Sequence, residues 1–234
     1  MNAEITAKKR GLPFYSEEEE IFHVASHAFG VLFGIAMITI VSLNHQNITQ
    51  LISGVLFGLS LIILYATSCT YHGLSRRGAE LKDKKEFQVV DHCSIPILII
   101  GTYIPFALCI LEPAKPGLGW KLMGVICVVA CIIIALNIID LDRFKVFTMI
   151  GYFLMGGSVL IGSDVIINTL TVEGFALFIA GGIAYSIGAI FYGLGGKSKV
   201  IGGSKKWMHS IFHIFCILGS ALHCVCVCLY VFRY

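Results

Sequence analysis

The stretch 118–139, LGWKLMGVICVVACIIIALNII, contains a single charged residue, Lys121. An α-helix needs about 20 consecutive apolar residues to cross the hydrocarbon core of a bilayer, and this stretch supplies them. Six more stretches of similar length and composition can be marked off, at residues 21–43, 51–71, 89–111, 146–167, 173–194 and 209–232. The sequence therefore predicts an all-α integral membrane protein, built as a bundle of seven transmembrane helices.

The composition of the chain indicates the same class. Of its 234 residues, 57% are hydrophobic and only 13% are charged, and the mean hydropathy is +0.86. Because so few charges cannot cover the surface of a soluble domain, lipid must be the solvent for most of the chain. We expect one transmembrane domain, 21–234, after a short cytoplasmic segment, 1–20. The first apolar stretch is too long for a signal-peptide core, so we expect it to be retained.

The same composition limits the partners and the role of the cysteines. We expect a membrane lipid as substrate or ligand and no nucleic acid. No soluble partner domain is indicated, and a homo-oligomer is compatible with the sequence. Nearly all of the nine cysteines fall inside the apolar stretches, where thiols behave as small apolar residues. We interpret them as packing residues.

Lysine and arginine are unevenly distributed among the connections between the predicted helices. Fourteen of the 17 lie in the N-terminal tail, in the loops after the second and fourth stretches, and in the loop before the seventh. The other three are Lys115, Lys121 and Arg233. Because cytoplasmic loops carry the excess of positive charge, the N-terminus is predicted to be cytoplasmic and the C-terminus outside, in a multi-pass protein of the cell membrane.

Two local patterns concern the first helix. Ser16 and Glu19 fit a capping box, and the acidic run 17–20 suits the positive end of a helix dipole. We interpret that run as a solvated helix start. The pentapeptide GVLFG occurs at 30–34 and again at 54–58, and such glycine pairs let two helices approach closely in lipid.

Three histidines are predicted to converge at one end of the bundle. The segment HSIFH places His209 and His213 four residues apart, on one face of the seventh helix. His72 ends the second helix, and in the predicted topology all three lie near the cytoplasmic interface. Asp91 begins the third helix at the same level. Ser68 precedes His72 by four residues and so shares its helix face.

These side chains fit a zinc site. Imidazole nitrogen binds Zn²⁺ at about 2.0–2.1 Å, and three histidines leave one tetrahedral position for water, as in catalytic sites. The ion would lower the pKa of that water toward ~7. Asp91 would then act as a general base, and Ser68 would orient the water or a substrate carbonyl.

Other interpretations of the histidines stay open. Imidazole ligands also serve other divalent metals. A haem held by two histidines would suit a helical membrane protein but would give the nearby carboxylate and hydroxyl no role. His23 and His27 are also four residues apart and could form a second ligand pair. The remaining histidines are interpreted as amphipathic side chains at the level of the headgroups: His45, His92 and His223.

At these residues the sequence resembles the hemolysin III family, the bacterial branch of the progestin and adipoQ receptor group, within a superfamily that includes alkaline ceramidases. The likeness covers residues 17–230 and is carried by SCTYH at 68–72, Asp91, HSIFH at 209–213 and EEIFHVASHAFG at 19–30. It implies a seven-helix fold with a cytoplasmic N-terminus. It also implies Zn²⁺ held by His72, His209 and His213, with Ser68 and Asp91 close to the metal. The eukaryotic receptors carry a longer N-terminal region, which argues against a hormone-receptor role.

Three functions compete. The first is a zinc-dependent hydrolase that acts on a lipid amide or ester near the inner leaflet. The second is a non-enzymatic membrane-homeostasis or sensor protein in which zinc is structural and ties helices together. The third is the cytolytic activity in the family name, for which the strongly apolar helices offer little support, since they indicate a resident membrane protein.

Overall fold

The computed structural model describes residues 12–13, 15–76, 81–195 and 207–233. Within these residues the secondary structure is helical and contains no strand. The basic residues of the N-terminal tail and all four of those before the last helix lie outside the described residues. Seven helices are numbered in chain order: α1 Glu17–Asn44, α2 Ile48–Arg76, α3 Leu81–Phe106, α4 Leu118–Gly157, α5 Ser163–Thr169, α6 Val172–Gly195 and α7 Met208–Cys226.

Helices α3 and α7 each continue through a wider π-helical turn. That turn is Ala107–Leu111 after α3 and Val227–Val231 after α7. A short helical turn, Glu112–Ala114, completes the first of these extensions, and the 3-10 turn Ser158–Gly162 joins α4 to α5. With these extensions, the membrane-spanning stretches of α3 and α7 are Asp83–Ala114 and Met208–Val231.

Six helical stretches in the described part of the chain are long and apolar enough to cross a membrane. The sequence predicted seven, and the difference arises in Leu118–Thr169, a 52-residue stretch with the highest mean hydropathy of the six. As a straight helix this stretch would be about 78 Å long, far more than the ~30 Å hydrocarbon core. The seven-crossing count and the orientation of the termini stay predictions.

The long stretch is a hairpin of two arms. Asp140 leaves the helical conformation, with φ −164° and ψ 96°, and its side chain accepts a hydrogen bond from the backbone N–H of Arg143, 3.0 Å away, as an N-cap does. The arms then pack against each other, because a Cβ at Gly151 would lie 2.7 Å from Ile133. These two arms correspond to the predicted stretches 118–139 and 146–167.

Helices α1 and α2 pack closely through the predicted glycine pairs. A Cβ at Gly34 would lie 2.5 Å from the carbonyl oxygen of Gly58, and a Cβ at Gly54 would lie 2.7 Å from Val41. Only glycine permits this backbone approach, which confirms the prediction of close packing from GVLFG. It holds the start of α1 beside the end of α2.

The helix ends meet in two groups. At one end, Glu20 near the start of α1 contacts His72 near the end of α2, and His72 contacts His209 at the start of α7. At the other end, the Gln50 side chain donates to the carbonyl oxygen of Phe232 over 3.4 Å. Lys115 and Asp164 form an exposed ion pair there. The first end carries the predicted site.

The interior and the outer surface differ as expected for a membrane protein. Large side chains such as Tyr65, Phe57 and Phe106 are fully buried. Many apolar side chains on the outside are exposed, for example Leu160 and Ile139, which are 75% and 70% exposed. Lipid would cover these surfaces. All nine cysteines are free, in agreement with their interpretation as packing residues.

Candidate metal centre

Five histidines from three helices meet at one end of the bundle. Helix α1 contributes His23 and His27, α2 contributes His72, and α7 contributes His209 and His213. Four of them are buried and His209 is half-buried. The distance between ring centroids is 4.4 Å for His23 and His72 and 4.6 Å for His209 and His213. The three histidines predicted as ligands are therefore together, and the second pair lies beside them.

The Nε2 atoms of the predicted ligands converge. Nε2 of His209 lies 3.2 Å from Nε2 of His72 and 3.1 Å from Nε2 of His213. Nitrogens bound to one tetrahedral zinc ion at 2.0–2.1 Å would be separated by roughly 3.3 Å. These two separations match edges of such a tetrahedron. The three histidines whose nitrogens all lie within 4.8 Å of one another are His23, His72 and His209.

The hydrogen bonds of the Nδ1 atoms determine which ring nitrogen carries the proton and which one keeps a free lone pair. Nδ1 of His72 lies 2.5 Å from a carboxylate oxygen of Glu20, which can only accept. Nδ1 of His213 lies 3.3 Å from the Ser26 hydroxyl, and that hydroxyl donates to the carbonyl oxygen of His23. Both Nδ1 atoms therefore carry the proton, and both Nε2 atoms offer a lone pair to a metal.

His23 belongs to the cluster more closely than the sequence indicated. One nitrogen each of His23, His72 and His209 lie within 4.8 Å of one another, which is a possible ligand set for a metal ion. His27 stacks on His213 with ring centroids 3.6 Å apart. The set that the structure groups thus contains His23 where the prediction has His213, and the assignment to His72, His209 and His213 stays a prediction.

Glu20 is a candidate site residue that sequence reasoning missed. The acidic run was interpreted as solvated, but Glu20 is 4% exposed and holds the Nδ1 atom of His72, while Lys84 lies 3.6 Å from its other oxygen. A carboxylate in this position raises the basicity of a metal-binding imidazole and orients its ring. The spacing of Glu20, His23 and His27 along one helix face was the available signal.

Glu19 is buried as well and positions α7. It forms the predicted capping box with Ser16. The backbone N–H of Glu19 donates to the Ser16 hydroxyl over 3.3 Å, and the backbone N–H of Ser16 donates to the Glu19 carboxylate over 2.9 Å. Its Oε1 atom also accepts the backbone N–H of Trp207 at 2.7 Å. Trp207 is the residue before α7, and its φ of 67° turns the chain into that helix. The start of α1 thereby fixes the start of the helix that carries His209 and His213.

A Glu20→Gln variant is expected to bind zinc about 10–100-fold more weakly, because a neutral amide orients His72 less well and does not support its basicity. Titration of the purified protein with zinc against a chelating dye measures this change. Glu17→Gln removes an exposed carboxylate from the same helix turn and should leave the affinity unchanged. Equal zinc affinity in wild type and Glu20→Gln would contradict the role assigned to Glu20.

Tyr15 covers the cluster from the segment before α1. Its ring stacks on His209, with centroids 5.0 Å apart and an interplanar angle of 16°, and meets His23 edge-on. Burial raises the pKa of the Tyr15 hydroxyl well above its ordinary value, so the group stays neutral. No sequence pattern identified this residue, which lies outside the apolar stretches.

Asp91 and Ser68 lie at the same end, beside a large cavity. The Ser68 hydroxyl is placed beside the Asp91 carboxyl, and both residues line a cavity of about 490 Å³ together with His209 and His213. The structure therefore brings the predicted carboxylate and hydroxyl to the metal end. Asp91 and Ser68 line the cavity, whereas Glu20 does not line it and contacts Nδ1 of His72 instead.

The surface of the cavity is mainly apolar, and the cavity reaches the outer surface. It runs between α3, the second arm of α4, α6 and α7. Phe153 and Ile183, on the walls formed by α4 and α6, are also 42% and 53% exposed. A lipid chain could enter between these two helices. Lys145 lines the cavity as well, with its Nζ atom 4.6 Å from the Tyr192 ring.

The three remaining histidines differ from one another. His45 is exposed at the opposite end of the bundle, as predicted. His223 is 5% exposed and lies inside the bundle, so its interpretation as a headgroup-level residue was wrong. His92 is half-buried, with Nε2 at 2.9 Å from the hydroxyl of Tyr192, so it too is an internal residue. Apolar spacing does not distinguish a histidine that faces lipid headgroups from one that faces the interior.

Comparisons with known proteins cover the whole site. A sequence profile of the family described as "Haemolysin-III related" matches residues 15–224. The chain is 31% identical to "Hemolysin-3" of Bacillus cereus over 92% of each chain, and 32% identical to "Hemolysin-3 homolog" of Bacillus subtilis (strain 168) over 92% of this chain and 96% of the relative. It is also similar to the human "Monocyte to macrophage differentiation factor", with 23% identity over 89% of this chain and 82% of the relative.

Proposed function

The chain belongs to the hemolysin III family, and from this premise we propose that it is a zinc-dependent hydrolase of a lipid amide or ester. Six apolar helices and this membership make it a multi-pass protein of the cell membrane. The proposal includes the predicted topology, with the histidine cluster near the inner leaflet. The linkage between a lipid headgroup and its acyl chain lies at that depth.

One observation carries the proposal. His209 and His213 line the same cavity as Asp91 and Ser68, and Nε2 of His209 is in contact with Nε2 of His72. A structural metal needs only its ligands, whereas a hydrolase also needs a base and room for a substrate. The cavity of about 490 Å³ falls in the size range of small-molecule sites, about 300–1,000 Å³.

Each side chain has a separate task in the proposed hydrolysis. Zinc, when bound, supplies an acidified water and a Lewis acid for the carbonyl oxygen. The Asp91 carboxylate would accept a proton from the attacking water and return it to the leaving nitrogen or oxygen as the C–N bond of the amide or the C–O bond of the ester breaks. The Ser68 hydroxyl orients that carboxylate, and Glu20 holds the His72 ring. The apolar walls hold the acyl chain and exclude bulk water.

Metal removal tests the proposal. The detergent-purified protein, loaded with zinc, is incubated with a panel of lipid amides and esters, and released fatty acid is measured by mass spectrometry. We expect release that stops after chelation and returns when zinc is added back, because the water and the carbonyl are activated only with the metal. Release that survives complete removal of zinc, or a folded wild type that binds no metal, would contradict it.

A structural role for zinc is the second candidate, and His23 favours it. If His23 joins His72, His209 and His213, four imidazoles close the coordination sphere and leave no position for water. Such a site would tie α1, α2 and α7 together. Cytolysis stays a prediction from the family name, and for a resident membrane protein lysis would be a secondary effect of added protein.

A further inference from the structure

Tyr15 lies between the histidine cluster and the surface of the protein. Its ring is 5.0 Å from the rings of His209 and His23, measured between centroids. It is also 5.7 Å from the ring of His72, so it touches all three histidines whose nitrogens lie within 4.8 Å of one another. Tyr15 is half-buried, so part of it contacts the cluster and part of it is exposed. In this direction one aromatic side chain separates the possible ligand set from the surface.

The other approach to the cluster is the cavity, which is unsuited to an ion. His23 and His72 are not among the described residues that line it. Its surface is mainly apolar, and it reaches the outer surface between α4 and α6, where lipid would cover the protein. A divalent ion is strongly disfavoured in such surroundings. The metal therefore has to pass on the side of Tyr15.

Tyr15 is also the neighbour of the cluster that moves most easily. The other described aromatic side chains in contact with these histidines all belong to helices: Phe22, Tyr65, Tyr71, Tyr192 and Phe212. Tyr15 precedes α1, whose N-cap is Ser16. Segments outside packed helices open at a lower free energy than the helices themselves. The Tyr15 ring can therefore leave the cluster while the helices that carry the histidines stay folded.

The contacts on both sides of Tyr15 keep this movement local. Leu12 is buried, with 4% of its surface exposed, and holds the segment before α1 against the protein. Ser16 is held by its two hydrogen bonds with Glu19. Glu19 also accepts the backbone N–H of Trp207, so the starts of α1 and α7 stay joined when the ring moves.

We infer that Tyr15 is a gate for the metal ion. Zinc enters and leaves the histidine cluster on the side of Tyr15, when the ring moves away from His209 and His23. A gate changes the rates of entry and exit by the same factor and leaves the affinity unchanged. Tyr15 thus differs from Glu20, whose contact with His72 sets the affinity. The inference rests on the metal-binding part of the proposed function and does not depend on hydrolysis.

The kinetics of zinc exchange test the inference. Stopped-flow fluorescence with a zinc-sensitive dye measures zinc entry into the metal-free protein in detergent and zinc exit into excess chelator. In Tyr15→Ala both rates should rise about tenfold, because the aromatic contacts that keep the ring closed are lost. The ratio of the two rates, and with it the Kd, should stay that of wild type. Tyr15→Leu, which has a smaller contact area, should raise both rates by a smaller factor, and it gives the same test if the alanine variant does not fold.

Two control variants accompany this measurement. Tyr15→Phe keeps the ring contacts and should exchange zinc at the wild-type rates. Tyr230→Ala removes another half-buried tyrosine, near the opposite end of the bundle, and should also leave both rates unchanged.

Two results would overturn the gate. One is wild-type exchange rates in folded, zinc-binding Tyr15→Ala and Tyr15→Leu proteins. The other is faster exit with unchanged entry, and hence weaker affinity, because Tyr15 would then only orient His209. Either result leaves the proposed hydrolase standing. Exchange that depends on Tyr15 in a zinc-loaded protein that releases no fatty acid counts against the hydrolase alone.

Discussion

A His209→Ala variant is expected to purify without the metal, whereas wild type should carry about one zinc ion per chain. Nε2 of His209 is the central atom of the cluster, 3.2 Å from Nε2 of His72 and 3.1 Å from Nε2 of His213. Its removal leaves no pair of predicted ligands in direct contact. We expect zinc affinity to fall by more than about 100-fold, beyond the loss that follows from removing a residue that only orients a ligand. Plasma mass spectrometry of the detergent-purified proteins measures the metal content.

His45→Ala is the matched control, because His45 is exposed at the opposite end of the bundle. The variant protein should keep its zinc. Two further variants assign the third ligand. Loss of zinc in His213→Ala with retention in His23→Ala supports the predicted set, and the reverse supports the set that includes His23. Zinc retained at full occupancy in a folded His209→Ala protein would refute the site.

The centre of the site was predictable because it depends on helix periodicity and helix ends. Histidines four residues apart must share a helix face, and the charge of the loops places the ends of successive helices on one side or the other. That reasoning brought His72, His209 and Asp91 to one level from sequence alone. The structure places all three at the same end of the bundle.

The surroundings of the site were not predictable by the same reasoning. The acidic run at the start of α1 has the composition of a solvated helix start, and only the packing of α2 and α3 against it shows that Glu20 is buried under His72 and Lys84. Tyr15 reaches His209 from outside any helix. His223 lies in a helix with one face toward lipid and one toward the interior, and the sequence does not reveal which of these faces carries it.

The helix count differs for a local reason. The fourth and fifth predicted stretches match the two arms of one hairpin, whose break is at Asp140. The sequence marked this connection through its charges. The turn is so short that the helical hydrogen-bond pattern resumes at once, since Asp140 itself caps the second arm. Composition thus predicted the arms, and side-chain capping determined how the chain joins them.

An Asp91→Asn variant is expected to keep its zinc and to release fatty acid at least about 100-fold more slowly than wild type, because general-base catalysis contributes roughly 10²–10⁴-fold. Asparagine has nearly the same shape and can still pair with Ser68, but it does not accept the proton from water. Single-turnover release of fatty acid from a lipid amide, measured beside zinc content, separates the chemical step from metal binding.

Asp83→Asn is the control for this substitution, since Asp83 is an exposed carboxylate two turns earlier on α3 and should leave both readouts unchanged. The two candidate functions differ most at this residue. If zinc is structural, Asp91→Asn should leave the function of the protein intact, while His213→Ala should prevent folding. If zinc is catalytic, Asp91→Asn should stop turnover in a folded, zinc-bound protein. Unchanged turnover in Asp91→Asn would therefore reject the hydrolase mechanism while leaving the metal site itself in place.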